Sequence, residues 1–555
     1  MIMKKIMRVV TVLVVAVAVH SCTDLTESVR DTALQQEALQ NPNAPEQTLA
    51  PVYERMLEPL ERHNWFNNLQ GVSSIEQIVP FRGGTDWFDG GRFIEMHQHS
   101  WGPTHITIID VWRNLTQGVG RGAIAQQTIA DLGGDQALIT EARALKALYN
   151  YWLLDLYNVA FEKRPEDVGT PALSTVYRNG EAVDYLYSEL NEVQDNLPSA
   201  SANHSRFNRD AVVALKVRLL LNKAIYLDRY ASEHTHSADD LNAVVNYATQ
   251  LIDDGQFDLE RENYFYLFGK ENEGSAEIIY AFNQQPETGG GHRLSYFHAS
   301  RNRHGNPWHT SKTGSDGGAL TQDFYDMWEN ERDDPRYFHQ FLPNEGSVSH
   351  EEFRWNRGVQ IGQQYGIVPD TEGSNVYQQD EDGNLLILPL IDHARSGDAM
   401  IYTREVGLET DRGHLAGPRS IKWDNDKYLE GSQSSINIPV FRLGEMYLSR
   451  AEANARLGNW GAALNDINLL RDARGARQLS ANELSTLQDL QREWIYEMYH
   501  EHQTRTIQIR FGTFTQGTWR DKPVSTVEKR VFPIPQDAID AAQGEAGYLE
   551  QNPGY

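Results

Sequence analysis

The feature that most constrains this chain is an apolar stripe with the period of an α-helix. From Ile139 onward, Leu145, Leu148, Tyr149, Trp152, Leu153 and Leu156 recur at spacings of three and four residues, which puts them on one helical face rather than on the alternating faces of a strand. The pattern returns along the chain. Leu186, Leu190, Val193 and Leu197 make a second stripe that Pro198 stops, Ala214, Val217, Leu221 and Ala224 make a third, and residues 239–252 supply its partner before Gly255. Later, Leu443, Tyr447, Ala451 and Ala455 line one helix, Gly458 turns the chain, and Ala463, Ile467 and Leu470 line the next. Such helices must bury their stripes against one another. The expectation is a mainly α fold, a tetratricopeptide-like helical-repeat scaffold over about 120–255 and 440–510 with degenerate repeats.

Between about 256 and 440 the texture changes to Gly, Asn, Asp and aromatic residues with short apolar runs such as 277–282, which predicts an irregular, loop-rich lobe with a few strands. Loops held on a rigid scaffold are where binding functions are usually placed.

The N-terminus reads as a processing segment. Lys4, Lys5 and Arg8 precede an apolar run from Val9 to Val19, the layout of an export signal over residues 1–21 and too short to span a bilayer. Val19-His20-Ser21-Cys22 resembles a bacterial lipobox, with His20 departing from the usual small residue, and Cys22 is the single cysteine of the chain. Cys22 is therefore the expected lipidation site, at the head of a polar tether over 22–47, with one large unit over 48–555. The formal charge is -27; removing the signal removes three cations and no acid, which gives -30. That balance disfavours a nucleic-acid partner, whose phosphates require a basic footprint.

No His-Glu-x-x-His, Gly-x-Ser-x-Gly or Walker-type phosphate loop is present. With 77 acidic residues, carboxylate pairs are unavoidable and nominate no catalytic couple. The pairs His97/His99, His234/His236 and His500/His502 are spaced two apart, which can bind metal on a strand but not on a helix; the expectation is that they are solvated, the last pair on a helix surface. Gln378, Asp380, Asp382 and Gly383 resemble a calcium loop, but Pro389 stands where a bidentate Glu is required, so a polar turn is expected. No metal or other cofactor is called for.

One stretch stands out, FRGGTDWFDGG over 81–91, followed by Trp101. Its glycines let the backbone turn tightly and approach a ligand. Around them Trp87 and Phe88 offer flat apolar faces, and Arg82 and Asp86 offer charged hydrogen-bonding groups. Sugars need this mixture, because their C–H faces stack on rings while their hydroxyls require polar partners. The candidate ligand-binding residues are Arg82, Asp86, Trp87, Phe88, Trp101, Tyr296 and Trp308, with Trp87 and Trp308 expected to lie together as a stacking platform. The competing expectation is a buried loop whose aromatics fill the core.

Several segments are similar to the SusD/RagB family of outer-membrane nutrient-binding lipoproteins: PVFRLGEMYLSRAEANARLGNWGAALNDINLLRDARG at 439–475, QREWIYEMYHEHQTRTIQIRFGTF at 491–514, VFPIPQDAI, the terminal QNPGY, and EARALKALYNYWLLDLY at 141–157. The PFRGGTDWFDGG loop recurs in one branch of that family. Where members usually have a Gly before Arg505 and an Asp shortly after it, this chain has His502 or Gln503 and Ile507. The resemblance implies four helix pairs carrying a binding lobe, no catalysis, and an outer-membrane location, lipid-anchored and facing the cell exterior. It also implies a SusC-like TonB-dependent transporter as partner and an oligosaccharide or polysaccharide, in some members a peptide, as ligand. The matched motifs belong to the scaffold and transfer no ligand contact. Other readings of the same features are a lipid-anchored glycoside hydrolase and a peptide-binding helical-repeat protein.

Overall fold

The computed structural model describes residues 41–555 apart from residue 42 and short stretches at 84–85, 202, 287–290, 302–304, 309–313, 372–375, 392–396, 410–412, 428–432, 543 and 546. The export signal, Cys22 and most of the tether lie outside the described residues.

The stripes become a continuous helical array: α1 (Ile106–Asp131), α2 (Gln136–Tyr157), α3 (Asn179–Gln194), α4 (Arg209–Leu227), α5 (Ala238–Asp253), α6 (Leu443–Arg456) and α7 (Trp460–Ala473), each packed against the next. α8 (Leu487–Met498) and the short α9 (Thr504–Arg510) close the array from the side of α6 and α4. All six α2 stripe residues are buried. α1 approaches α2 closely because it carries glycines at the contact. A Cβ at Gly118 would stand 2.5 Å from the Tyr149 ring, and one at Gly122 would stand 2.9 Å from Lys146 Cβ. Asn158 ends α2 in the left-handed conformation at φ 59°, with its N–H on Leu154 O at 3.0 Å.

α5 and α6 are neighbours in space although the whole irregular lobe lies between them in sequence. The lobe leaves along strand Ile278–Phe282 and returns along strand Ile438–Arg442, and these two pair antiparallel, with Phe282 opposite Ile438 and Ile278 opposite Arg442. Among its described residues are only small sheets, such as 338–339, 357–360 and 419–421, and 346–348, 365–367 and 385–389. The lobe has its own core of Leu342, Phe353, Trp355, Ile367, Leu385, Ile387 and Ile421, separate from the main one.

The joint between array and lobe is ionic and buried. Arg442 donates to Glu497 at 2.6 Å and Glu277 at 3.1 Å, and Arg474 donates to the same two carboxylates at 2.7 Å each. Arg336 of the lobe donates to Glu493 and Glu497 on α8, and Arg471 of α7 donates to Glu493 and to Glu331 of the lobe. Burial would raise the Glu497 pKa, but Arg474, Arg442 and Arg336 outweigh it and hold the carboxyl well below its usual range.

The expected surface position of His500 and His502 does not hold. Both lie past the end of α8 with positive φ, 58° and 60°, and His500 is only 1% exposed. His97 and His99 are likewise buried. Contacts from distant segments override the helical continuity that their sequence context suggests: His500 Nδ1 meets Ser420 Oγ at 3.0 Å, Trp423 Nε1 donates to His500 O at 3.2 Å, and His502 Nε2 lies 3.1 Å from Leu60 O. Asp380 does close a polar turn: its Oδ1 accepts from the N–H groups of Asp382 and Asn384 at 3.0 and 2.9 Å.

Candidate functional site

The 81–91 loop projects just ahead of α1 and is held in an unusual conformation. Trp87 and Asp89 have φ of 63° and 45°, and Gly90 and Gly91 follow at 69° and 87°. Left-handed backbone at a bulky residue is strained, so the surroundings must enforce it. Two anchors do so. Arg82 is buried, and its guanidinium donates to Gly413 O at 2.7 Å, Ala416 O at 3.4 Å and Gly317 O at 3.4 Å. Trp87 Nε1 donates to Ser315 O at 2.9 Å. Gly317 is required beneath it, because a Cβ there would come within 2.7 Å of Trp87 and 2.4 Å of Phe297.

These anchors gather three further loops. Ser315 N donates to Tyr296 O and Asp316 N to Ala299 O, so segment 314–318 ties 293–301 to the 81–91 loop. His414 stands between two carboxylates, its Nε2 3.4 Å from Asp86 and its Nδ1 3.2 Å from Asp316, and Arg301 lies 3.9 Å from Asp86. Arg419 donates to Gly318 O at 2.5 Å and His414 O at 2.6 Å. Burial, and next the nearby Arg419, lower the Arg82 pKa. The guanidinium of Arg82 is thus spent on backbone carbonyls and sets the shape of the loops.

The predicted residues divide into three groups. Phe88 is the most open, 48% exposed, with Phe81 edge-on to it at 5.9 Å. Trp87 is half-buried against the main core, with rings of His63, Phe93 and Phe297 around it, and Tyr296 is half-buried against the lobe's core. These aromatic groups, with Asp86, flank the seam between the two cores. Trp308 is also half-buried, in a turn where its N–H donates to Asn306 Oδ1 at 3.1 Å, and Asn306 is in turn fixed on Asp426 O. No ring contact joins Trp308 to Trp87 among the described residues. Trp101 lies apart from this surface. It is 1% exposed, its Nε1 donates to Tyr555 Oη at 2.8 Å and its ring packs on Phe532. Its large apolar area is worth more in the core than in a loop.

Sequence reasoning passed over Ser315, Asp316, Gly317 and His414. The Gly-Ser-Asp-Gly-Gly run at 314–318 was the available signal, a second glycine-rich turn of the same character as 83–91. A separate cleft of about 360 Å³ opens on the array, lined by Arg143, Lys146, Glu162, Glu189 and Glu192 among others. Its charges are largely paired with each other and no aromatic side chain lines it. Among the described residues no cluster of three or more His, Cys, Asp or Glu is arranged to hold a metal, and no helix is long and apolar enough to cross a membrane.

Fold and loops together define a class: a rigid array of paired helices that holds out an aromatic loop cluster beside an irregular lobe. Residues 412–529 match the SusD family profile. The chain is 26% identical over 452 residues to the starch-binding protein SusD of Bacteroides thetaiotaomicron, covering 75% of this chain and 72% of that one. Among solved structures, a SusD-like protein of Bacteroides fragilis superposes with a TM-score of 0.66 at 16% identity, covering 94% of this chain and 98% of that one. Surface glycan-binding protein A of Bacteroides fluxus superposes with a TM-score of 0.63 at 18% identity, covering 93% and 99%. The protein of the same name from Bacteroides thetaiotaomicron, in complex with laminarihexaose, gives 0.58 at 16%, covering 92% and 99%.

Proposed function

We propose that the protein is a non-catalytic, cell-surface glycan-binding subunit of a nutrient importer, anchored to the outer membrane through Cys22 and working with a SusC-like TonB-dependent barrel. The observation that carries this reading is the loop seam itself. Phe88, Trp87 and Tyr296 supply apolar faces, and Asp86 and Arg301 supply hydrogen-bonding groups at its edge, the two kinds of contact a sugar ring requires. The relatives' names support it: one binds starch, and another is seen with laminarihexaose. Trp308, half-buried in its own turn of the lobe, is a second candidate contact.

Native affinity gels with a panel of soluble polysaccharides test the reading. Retardation by one or more glycans, with no shortened products after overnight incubation with an oligosaccharide, is the expected result. Product release would make the protein a hydrolase, and peptide binding without glycan binding would make it a peptide carrier. Replacing Cys22 by Ser is expected to release the protein from membranes of cells lacking the barrel.

A further inference from the structure

Two small cavities, of about 40 and about 30 Å³, lie side by side where the array meets the base of the lobe, and they share Gln70, Trp152, Arg218, His502 and Gln503 in their walls. The first reaches Trp423 and Ile438 of the lobe, and the second reaches Asn222 of α4 and Ser449 of α6.

Four side-chain polar atoms of the second cavity's lining are enclosed and find no partner within the protein: Ser449 Oγ, Trp494 Nε1, Arg510 Nη2 and His502 Nδ1. Their chemistry differs. The Trp494 indole and the Arg510 guanidinium can only donate, and Arg510 already places its other groups on Glu452 and on Asn222 Oδ1. The His502 tautomer follows from its other nitrogen. Nε2 lies 3.1 Å from Leu60 O, an acceptor, so Nε2 carries the hydrogen and Nδ1 of the neutral ring is an acceptor. Burial lowers the His502 pKa to about 4, so the ring is neutral near pH 7. His502 also holds φ 60°, so its imidazole is kept against these cavities at the cost of a strained backbone.

Enclosed donors and an enclosed acceptor facing the same small space require a molecule that both accepts and donates. An anion would suit Trp494 and Arg510, but it would meet the His502 lone pair and the carboxylates of Asp155 and Glu445 in the same wall. We propose that the two cavities hold a short chain of resident water molecules, bound by Trp494, Arg510, Ser449 and His502, which joins the helical array to the base of the lobe. At roughly 10–15 Å³ of cavity for each water, there is room for about three in the first and about two in the second. The site is independent of what the loops bind.

Crystals of the full chain diffracting to high resolution should show solvent density within hydrogen-bonding distance of Trp494 Nε1, Arg510 Nη2 and His502 Nδ1. Empty density there overturns the proposal. An anomalous peak after a bromide soak also overturns it, by making the site an anion site. Stability gives a second reading with an opposite sign for each case. Ser449→Val adds bulk to the second cavity: displacing bonded water is expected to lower the melting temperature, whereas filling a dry void would raise it. Trp494→Phe follows the same logic, because losing a satisfied donor destabilises and losing an orphaned one stabilises. A rise in melting temperature in both variants overturns the water chain.

Discussion

The ionic joint and the loop seam are both places where separate parts of the chain meet, yet they are built from opposite materials. At the joint, Arg336, Arg442, Arg471 and Arg474 are essentially buried, and every one is matched to carboxylates from another element. At the seam the fixed contacts run from side chains to backbone oxygens, from Arg82 to Gly317, Gly413 and Ala416 and from Trp87 to Ser315. A lattice of mutual charge pairs holds one geometry and leaves no group free for a ligand. Loops pinned by their backbones leave ring faces outward. The difference teaches that this molecule separates holding from touching.

The largest expected effect breaks the joint. Glu497→Ala would leave three buried guanidinium groups short of their shared carboxylate, a loss of about 3–5 kcal/mol, read as a lower midpoint in denaturant unfolding. If the variant unfolds like the parent, the lattice is not what binds lobe to array.

Acid is expected to act next, and through buried histidines. His63 and His292 are lowered to about 3, by burial first, with Arg293 also acting on His63 and His502 on His292. Unfolded histidines titrate near 6.5, so below that pH the unfolded chain binds more protons than the folded one and stability falls as pH drops towards 3. At pH 5 the gap is worth about 2 kcal/mol for each ring, at 1.36 kcal/mol per pKa unit. Urea unfolding at pH 7 and pH 5 checks this, and His63→Phe and His292→Phe should flatten the dependence. An unchanged slope in both variants would remove these rings from the account.

At the seam the effects are smaller and divide between stability and binding. Trp87→Ala should cost about 2–3 kcal/mol of stability, because the ring is half in the core, and should also weaken the best glycan of the panel. Phe88→Ala should change stability by less than about 0.5 kcal/mol, as its ring is 48% exposed, and weaken binding roughly 10-fold, about 1.4 kcal/mol. Calorimetry on both variants sharpens the contrast. A Phe88 variant that binds as well as the parent would move the ligand away from this loop.

The helical array was legible because its signal is local. A stripe such as Leu145 to Leu156 states its own periodicity, and no distant residue is needed to interpret it. The seam was legible only in part. The glycines and aromatics of 81–91 mark a special loop, and the loop contains both Arg82, which turned inward, and Phe88, which stayed out. Nothing within eleven residues says which is which, because the deciding partners, Gly317, Gly413 and Ala416, lie more than 200 residues away. Trp101 was misplaced for the same reason: its partner Tyr555 is at the far end of the chain. His500 and His502 read as continuing a helix because positive φ at a non-glycine residue leaves no trace in the sequence.

The two strands at the lobe's base, Ile278–Phe282 and Ile438–Arg442, bear on how such a protein can change over time. Because the chain departs and comes back through one paired doorway, the array on either side closes on itself through α5 and α6 whatever lies between. Insertions, deletions or replacement beyond that doorway leave the helical packing in place so long as Arg336 and Glu331, the lobe's members of the ionic joint, are kept. Selection can therefore rewrite the outer parts of the lobe while inheriting the frame and its ionic joint, and a protein engineer could graft a foreign lobe at the same two strands if it carried the joint's Arg and Glu with it.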